Sequence, residues 1–437
     1  MPHSFKGGIH PEDKKRQTSR KPVETMLPPT HLILPLTQHI GAICEPKVMI
    51  GDPVKMGQMI AESSSPVSSP IHAPVSGKVF SIEPFEHPNG TKVRSIILEN
   101  DFEDSLHETV RPYGSIEGLS SEQIIQIIRN SGIVGMGGAG FPTHIKINSG
   151  LGKVDQLILN GAECEPYITS DHRTMLESPE QVVGGLLVLM RLFDLKKATI
   201  AVEANKEDVV KLLSASLKKF PGIVVKVLKT RYPQGAEKQL IRTCTGREVP
   251  PGGLPADVGC AVFNVETAAS IYRAVATGIP VIRRIVTVSG SAIANPKNVE
   301  TRLGTPIEAL FSYVGGFVEQ PYKIIMGGPM MGLAQHSLQV PVIKSTGAVL
   351  AFCKDEEYFV KDPVCIRCGR CIKACPMSLR PIFLHQFAER GMYEECQDQN
   401  VRDCIECGSC SYVCPARIPL VQSFRATKAK LIDINRT

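Results

Sequence analysis

Two short stretches near one end of the chain restrict its fold more than any other feature. CIRCGRCIKACP contains Cys365, Cys368, Cys371 and Cys375, and CIECGSCSYVCP contains Cys404, Cys407, Cys410 and Cys414. Both read C-x2-C-x2-C-x3-C-P. Three thiolates at three-residue spacing wrap three corners of one iron–sulfur cube, and the fourth cysteine, beside proline, reaches the neighbouring cluster. The pattern therefore predicts one [4Fe–4S] cluster on Cys365, Cys368, Cys371 and Cys414, and a second on Cys404, Cys407, Cys410 and Cys375. Structural zinc uses separated C-x2-C pairs, without a triplet or a trailing Cys-Pro. Between the motifs, Leu384, Phe387 and Ala388 stand at helical spacing, so a helical two-cluster ferredoxin domain is expected over 351–437, ending in a basic tail.

The other six of the 14 cysteines (Cys44, Cys164, Cys244, Cys260, Cys353, Cys396) show no ligand spacing. Five read as buried thiols. Cys164 stands between Glu163 and Glu165, whose charges should raise its pKa and blunt its reactivity. A chain of 437 residues is not a short disulfide scaffold, and implies about two to four domains. The net charge of +6 comes partly from basic ends, KGGIHPEDKKRQTSRKP and SFRATKAKLIDINRT, which read as solvated tails or as docking points for an acidic partner or membrane surface. Aromatics at 5% and the lack of tryptophan argue against nucleic-acid binding. The longest apolar run, VVGGLLVLM, is stopped by Arg191, and the start, MPHSFKGG, has no apolar signal region, so a cytoplasmic protein without a transmembrane helix is expected.

The sequence predicts a multidomain α/β chain. An arm rich in proline and charge covers 1–30. Residues 31–112 read as short strands between Gly and Pro turns, like the barrel-sandwich fold of biotinyl and lipoyl carriers. The tip that bears the modified lysine in carriers is here SSSPVSSPIHAP, with no lysine, so the fold is expected without the carrier role. Over 113–282, helices such as SEQIIQIIRNSG alternate with strands such as QLILNGAE and KATIAVEA, which predicts a mostly parallel sheet. Residues 283–350 read strand, turn, strand, helix, as in a small β-grasp module.

GMGGAGFPTHIK spells G-x-G-x-x-G at Gly135, Gly137 and Gly140. A Rossmann loop follows a strand and opens a helix. Here a helix comes first and the first strand comes later, which argues against that fold. Successive glycines still let backbone N–H groups approach an anion, and a helix starting near Thr143, with Lys146, favours one. A glycine-rich structural turn is the competing reading. Downstream, NGAECEPYITSDHR puts Glu163 and Glu165 at the C-terminal end of a strand, where α/β sheets place ligands.

Together, GMGGAGFPTHIK, NGAECEPY, YPQGAEKQLI and FNVETAASI occur in the order seen in the flavin-carrying NADH-oxidising subunits of respiratory complex I. With FKGGIHP, the carrier-like domain and the two cysteine motifs, the chain resembles the RnfC family of Rnf electron-transport complexes along nearly its whole length. It departs from the complex I pattern at His144 and Ile147 (Gly and Trp there), at Ala236 before Glu237 (two adjacent acids there), and at Phe263-Asn264 (paired Asn there). The resemblance implies FMN near Gly137, Gly138, Gly140, Lys146, Asn160, Glu163, Asn264 and Thr267, the last two holding phosphate, and NADH stacked on Phe141 near Glu165, Glu237 and Lys146. It implies a soluble-ligand-binding β-grasp, electron flow between NAD(H) and ferredoxin, and a peripheral place on the cytoplasmic membrane face. The implied partners are the integral membrane Rnf subunits, the ferredoxin-like RnfB protein and ferredoxin. A microcompartment cobalamin reductase of the same architecture, and a docking subunit without NADH oxidation, are the alternative readings.

Overall fold

The structure, a computed structural model, describes residues 4–114, 116–354 and 360–434. The first globular part is a sandwich of two small sheets. One orders His31–Pro35, Lys92–Asn100, Gly77–Glu86 and Pro53–Val54; the other orders Glu45–Pro46, Met59–Glu62 and Ile71–His72. Leu32, Leu34, Val79, Ile96 and Leu98 supply its buried face.

The second part is a parallel sheet in the order Ile223–Leu228, Ala198–Glu203, Gln156–Gly161, Cys260–Asn264. Its strands are short apolar runs flanked by helices, the pattern of a sheet buried on both faces. Helices Pro179–Leu192 and Val265–Thr277 pack against each other at unusually close range. Gly184 and Gly185 make this possible: a Cβ would meet the Tyr272 ring at 2.2 Å and the Ala268 carbonyl at 1.8 Å. GMGGAG follows helix Ser121–Asn130 and precedes helix Thr143–Gly150, so it does not sit in a Rossmann crossover.

The third sheet is the β-grasp. Arg283–Ser289 and Lys297–Arg302 form an antiparallel pair, and Ala348–Phe352 runs parallel to the first of them. The arm joins this sheet, with Glu24–Thr25 parallel to Lys297–Arg302 at its edge. The reading of the basic ends as solvated tails is therefore corrected. Phe5, Ile9, Lys15 and Thr18 are buried, because the arm threads between the other parts. The C-terminal basic stretch is helix Leu420–Ile434, which buries Phe424 and Leu431 against the ferredoxin core and pairs Arg425 and Lys428 with Glu406. Of the five cysteines read as buried thiols, Cys44, Cys260 and Cys396 are buried, and Cys244 and Cys353 are half-buried.

Lys344 joins three of the parts. Its buried amine donates to Ser69 Oγ at 3.2 Å, to the Pro70 carbonyl and to the Gly132 carbonyl at 2.8 Å. These come from the lysine-free carrier tip and from the segment leading into the glycine loop. Its partners are an alcohol and two carbonyls rather than a carboxylate, so burial pulls its pKa down from 10.5 to about 7. The nearby His39 and His72 are lowered to about 4 and about 3, by burial first and Lys344 second.

Between pH 7 and 10.5 the unfolded chain keeps a proton on Lys344 that the folded chain has released, so this residue's contribution to stability rises with pH. Melting temperatures measured from about pH 6.5 to 9.5 should therefore show wild type gaining on Lys344→Met as pH increases. Parallel curves would remove Lys344 from the joint's energetics.

Candidate functional site

The C-terminal edge of the parallel sheet builds the site. Asn160 and Asn264 are register partners on adjacent strands, so both reach the same edge together. Asn264 caps helix Val265–Thr277: its Oδ1 accepts from the N–H groups of Glu266 (2.9 Å) and Thr267, and its Nδ2 donates to Asp171 at 2.6 Å. Asn160 donates to the Gly235 carbonyl at 2.8 Å. Past the strand end, Glu163 adopts φ 46°, a left-handed conformation that turns the chain sharply.

The glycine loop closes on itself over this edge. Val134 and Pro142 form a bridge, and Gly135 N–H donates to the Phe141 carbonyl at 2.9 Å. Thr267 pins the loop from below: its hydroxyl accepts from Met136 N–H at 3.0 Å and donates to the Val134 carbonyl at 3.3 Å. Gly137 lies against Asn264, so close that a Cβ would come within 2.6 Å of its Nδ2. Gly138 faces open space, and Gly140 has φ +72°. Phe141 stands 37% exposed at the rim. Lys146 pairs with Glu237 and lies 5.4 Å over the Phe263 ring.

Beneath the loop lies a buried set of charges that the sequence did not announce. Lys15, from the arm, donates to the carbonyls of Glu163 at 2.8 Å, Glu165 at 3.0 Å and Ile168, and lies 3.8 Å from the Glu163 carboxylate. Lys206 donates to the Ala162 carbonyl at 2.6 Å and pairs with Glu203 at 3.4 Å. Burial raises the Glu163 carboxyl against the pull of Lys15, and raises Glu165 to about 7. One Glu163 oxygen takes the Asp171 N–H at 2.7 Å; the other, Oε2, is the one Lys15 faces at 3.8 Å, and it is buried without a hydrogen bond. An orphaned acceptor of this kind suits a site that a polar ligand completes.

Glu165 is already occupied. Its oxygens take the Tyr232 hydroxyl at 3.2 Å and the Met330 N–H at 3.1 Å. Tyr232 also bonds the Cys407 carbonyl at 2.7 Å. Cys164 sits in the same small apolar cluster as Tyr232, Met330 and Cys407 and accepts from Gly235 N–H at 3.3 Å. Its pKa is raised, by burial before the neighbouring carboxylates, so it is inert.

Across this contact, Cys375, Cys404, Cys407 and Cys410 line one small cavity with Ile405, Val421 and Phe424. Burial raises these thiols, Cys404 to about 11, so any metal they hold must supply the charge that displaces their protons. Cys414 lies near enough to Cys371 to add to the rise that burial gives the Cys371 thiol, while Cys365 is half-exposed and Cys368 exposed.

The structure thus gathers Gly137, Gly138, Gly140, Asn160, Glu163, Asn264 and Thr267 at one sheet edge, with Phe141, Lys146 and Glu237 at its rim. Glu165 faces the other way, toward the cysteines. Sequence reading missed Lys15, Lys206, Tyr232 and the GGPMMG loop at 327–332. The usable signals were FKGGIHP and YPQGAEKQLI: Gly8 N–H bonds the Ala374 carbonyl at 2.8 Å, and Ile9 exchanges backbone hydrogen bonds with Tyr232.

A nucleotide-type loop over a parallel sheet edge, joined to two crossed cysteine motifs, defines a flavin-dependent electron-transfer protein of the complex I type. Residues 128–273 match the family Nuo51 FMN-binding domain, 3–103 the RnfC Barrel sandwich hybrid domain, 285–334 the SLBB domain and 358–419 the 4Fe-4S dicluster domain. FMN and [4Fe–4S] clusters are accordingly the cofactors of this architecture. The chain is 47% identical over 434 residues (98% of it, 94% of the relative) to the C subunit of the proton-translocating ferredoxin:NAD(+) oxidoreductase complex of Clostridium ljungdahlii. It is 44% identical over 98% of its length to the C subunit of the Na(+)-translocating complex of Acetobacterium woodii, 97% of which is covered. It is 42% identical over 98% of its length to the C subunit of the ion-translocating oxidoreductase complex of Rhodobacter capsulatus, 83% of which is covered. The chain belongs to the RnfC family, the C subunits of ion-translocating ferredoxin:NAD(+) oxidoreductase complexes. Its fold is also similar to a chain of the NAD+-reducing [NiFe]-hydrogenase in the air-oxidised state, at TM-score 0.51 and 19% identity, over 70% of this chain and 63% of that one. Among the described residues no helix is long and apolar enough to cross a membrane, as suits a peripheral subunit.

Gly137→Ala should destabilise the flavin-free chain by about 1–3 kcal/mol, because Asn264 must leave its cap to make room. Gly138→Ala, at the open face, should leave the melting temperature unchanged. Equal effects of the two in thermal unfolding would contradict the loop geometry.

Proposed function

We propose that this chain carries electrons between NAD(H) and the remaining subunits of its complex at the cytoplasmic face of the membrane. FMN, when bound, supplies the conversion between a two-electron hydride and single electrons that the clusters accept. The observation that carries this reading is the contact of the cysteine-lined cavity with the flavin domain through Tyr232 and Cys407.

The backbone of Gly137, Gly138 and Gly140 lets a flavin phosphate approach closely, and the start of helix Val265–Thr277 favours its charge. Asn264 and Thr267 act by shaping that loop and helix start, since their side chains are engaged with Asp171, Met136 and Val134. Asn160, engaged with Gly235 and Ala162, and Glu163, paired with Lys15, shape the floor beneath the flavin's polar edge. Phe141, Lys146 and Glu237 receive the nicotinamide nucleotide at the rim. Cys404, Cys407, Cys410 and Cys375 hold the inner cluster, and Cys365, Cys368, Cys371 and Cys414 the outer one. Glu165 fixes Tyr232 and the Met330 loop beside the inner cluster. The carrier-like domain has no carrier role, because its tip is spent on the Lys344 joint.

Anaerobically purified protein should contain about one FMN and about eight iron atoms per chain, and NADH should bleach both the flavin and the iron–sulfur absorption. Cys375→Ser should lose about four irons and the signal of the cluster paired with the second motif, leaving the first motif's cluster in place. Protein that holds flavin and iron but does not respond to NADH would instead be a docking subunit.

A further inference from the structure

The two cysteine motifs repeat one backbone at an interval of 39 residues, Cys365 answering to Cys404. Arg367 and Glu406 share φ 56° and 55°, Gly369 and Gly408 share 70° and 76°, and Ser378 and Arg417 both have 57°. Short helices Arg370–Ala374 and Ser409–Tyr412 start at equivalent positions, and so do the longer helices Pro381–Glu389 and Leu420–Ile434. Two copies of one structure thus stand in different surroundings, and the covered copy shows what such a loop does when it is docked.

The second loop is covered. Ile405 packs with Ile9, Tyr232 and Met330, Cys407 is 7% exposed, and the Gly408 Cα lies so near the Met330 carbonyl that a Cβ would come within 2.8 Å of it. Its charged residue, Glu406, is paired with Arg425 at 3.0 Å and Lys428 at 2.9 Å. The first loop is bare. Ile366, the counterpart of Ile405, is 66% exposed; Val364 is 76% exposed, and Cys368 is exposed as well. Ile372 is also at the surface. Arg367, Arg370 and Lys373 are exposed with no ion-pair partner among the described residues, and within 360–373 Asp362 alone carries the opposite charge. Solvated charge would not need Ile366 and Val364 between the cations. An apolar centre with a ring of cations is the surface of an interface.

We propose that residues 364–373 form the docking face for an electron-transfer partner, one that presents an apolar centre ringed by carboxylates and carries its own one-electron cofactor. This rests on the proposed function, in which the outer cluster is the point where electrons leave or enter the chain. In the outward direction one electron leaves the cluster on Cys365, Cys368, Cys371 and Cys414, which is oxidised, and one enters the partner's cofactor, which is reduced. No bond forms or breaks, and the step reverses when the potentials reverse. Val364, Ile366 and Ile372 supply the contact that excludes water. Arg367, Arg370 and Lys373 steer the approach.

The test uses the flavin- and cluster-loaded chain and membranes that carry the other subunits of the complex but lack this one. Rebinding is followed by co-sedimentation at low and at physiological salt. Arg370→Glu with Lys373→Glu should weaken rebinding about ten-fold at low salt and flatten its salt dependence. Ile366→Asp should weaken it at both salts, and the distant pair Lys211→Glu with Lys218→Glu should rebind as wild type. A photo-crosslinking residue at position 366 should join a carboxylate-rich segment of a cofactor-bearing subunit. Wild-type rebinding by the charge-reversed pair, or crosslinks only to lipid or to segments without carboxylates, overturns the proposal. Iron content and NADH bleaching of each variant separate the outcomes. Lost docking with intact bleaching concerns this face, whereas a wild-type chain that NADH cannot bleach refutes the proposed function. If the charge-reversed pair loses iron, the crosslinking result decides alone.

Discussion

The hydrogen bond from the buried Tyr232 hydroxyl to the Cys407 carbonyl, 2.7 Å long, fixes the cysteine domain against the flavin domain. The apolar area between them is small: Ile9, Tyr232, Ala374 and Cys407 are its buried members. Specific polar contacts must therefore set the geometry. The same side chain touches Glu165, and the backbone of Tyr232 pairs with Ile9. Three segments remote in sequence close on one residue. Moving the cysteine loop away would break the Tyr232–Cys407 bond, and Tyr232 would keep only its longer contact with Glu165; a lost hydrogen bond of this kind costs about 1 kcal/mol. A rigid relation between flavin site and inner cysteines follows from that penalty rather than from bulk packing.

The buried charges do related work. Lys15 spends its amine on three carbonyls of the 163–168 loop, so the arm holds the strand end in its left-handed shape from below. Lys206 does the same for Ala162. Two ammonium groups and the carboxylates of Glu163 and Glu203 are thus removed from water together. Such a set is costly unless each member is paired and hydrogen-bonded. Glu163 Oε2, 3.8 Å from Lys15 and without a hydrogen bond, is the loosest point of this set, and Glu163 stands at the sheet edge over which the glycine loop lies.

The motifs with fixed spacing were legible in sequence. Thiolate chemistry demands C-x2-C-x2-C-x3-C-P, and alternation of helices and apolar strands demands a parallel sheet. The helix before GMGGAG was enough to reject a Rossmann crossover. The ends of the chain misled, because basic residues at a terminus look the same whether they are solvated or, like Lys15, hydrogen-bonded to carbonyls 148 to 153 residues away. Tyr232 and Met330 were invisible for the same reason: their importance comes from a partner across a domain boundary. Lys344 lies in a stretch, VPVIKSTG, that offers no local sign of a lysine without a carboxylate partner.

The site residues also differ in how freely they can meet a ligand. Lys146 and Glu237 form an ion pair with side chains 29% and 40% exposed. A pair of that kind is worth about 0–1 kcal/mol, so a nucleotide can replace either member at little cost. Glu165 is half-buried with both oxygens engaged, and withdrawing it would release Tyr232 and the Met330 loop at once. Under the proposed function the two acids therefore take different parts, although both stand in motifs shared with NADH-oxidising subunits. Glu237 recognises the nucleotide, and Glu165 holds the inner cysteine loop in register with the flavin. The loss of the second acid at Ala236 then bears on recognition at the rim and leaves the electron path beneath it untouched.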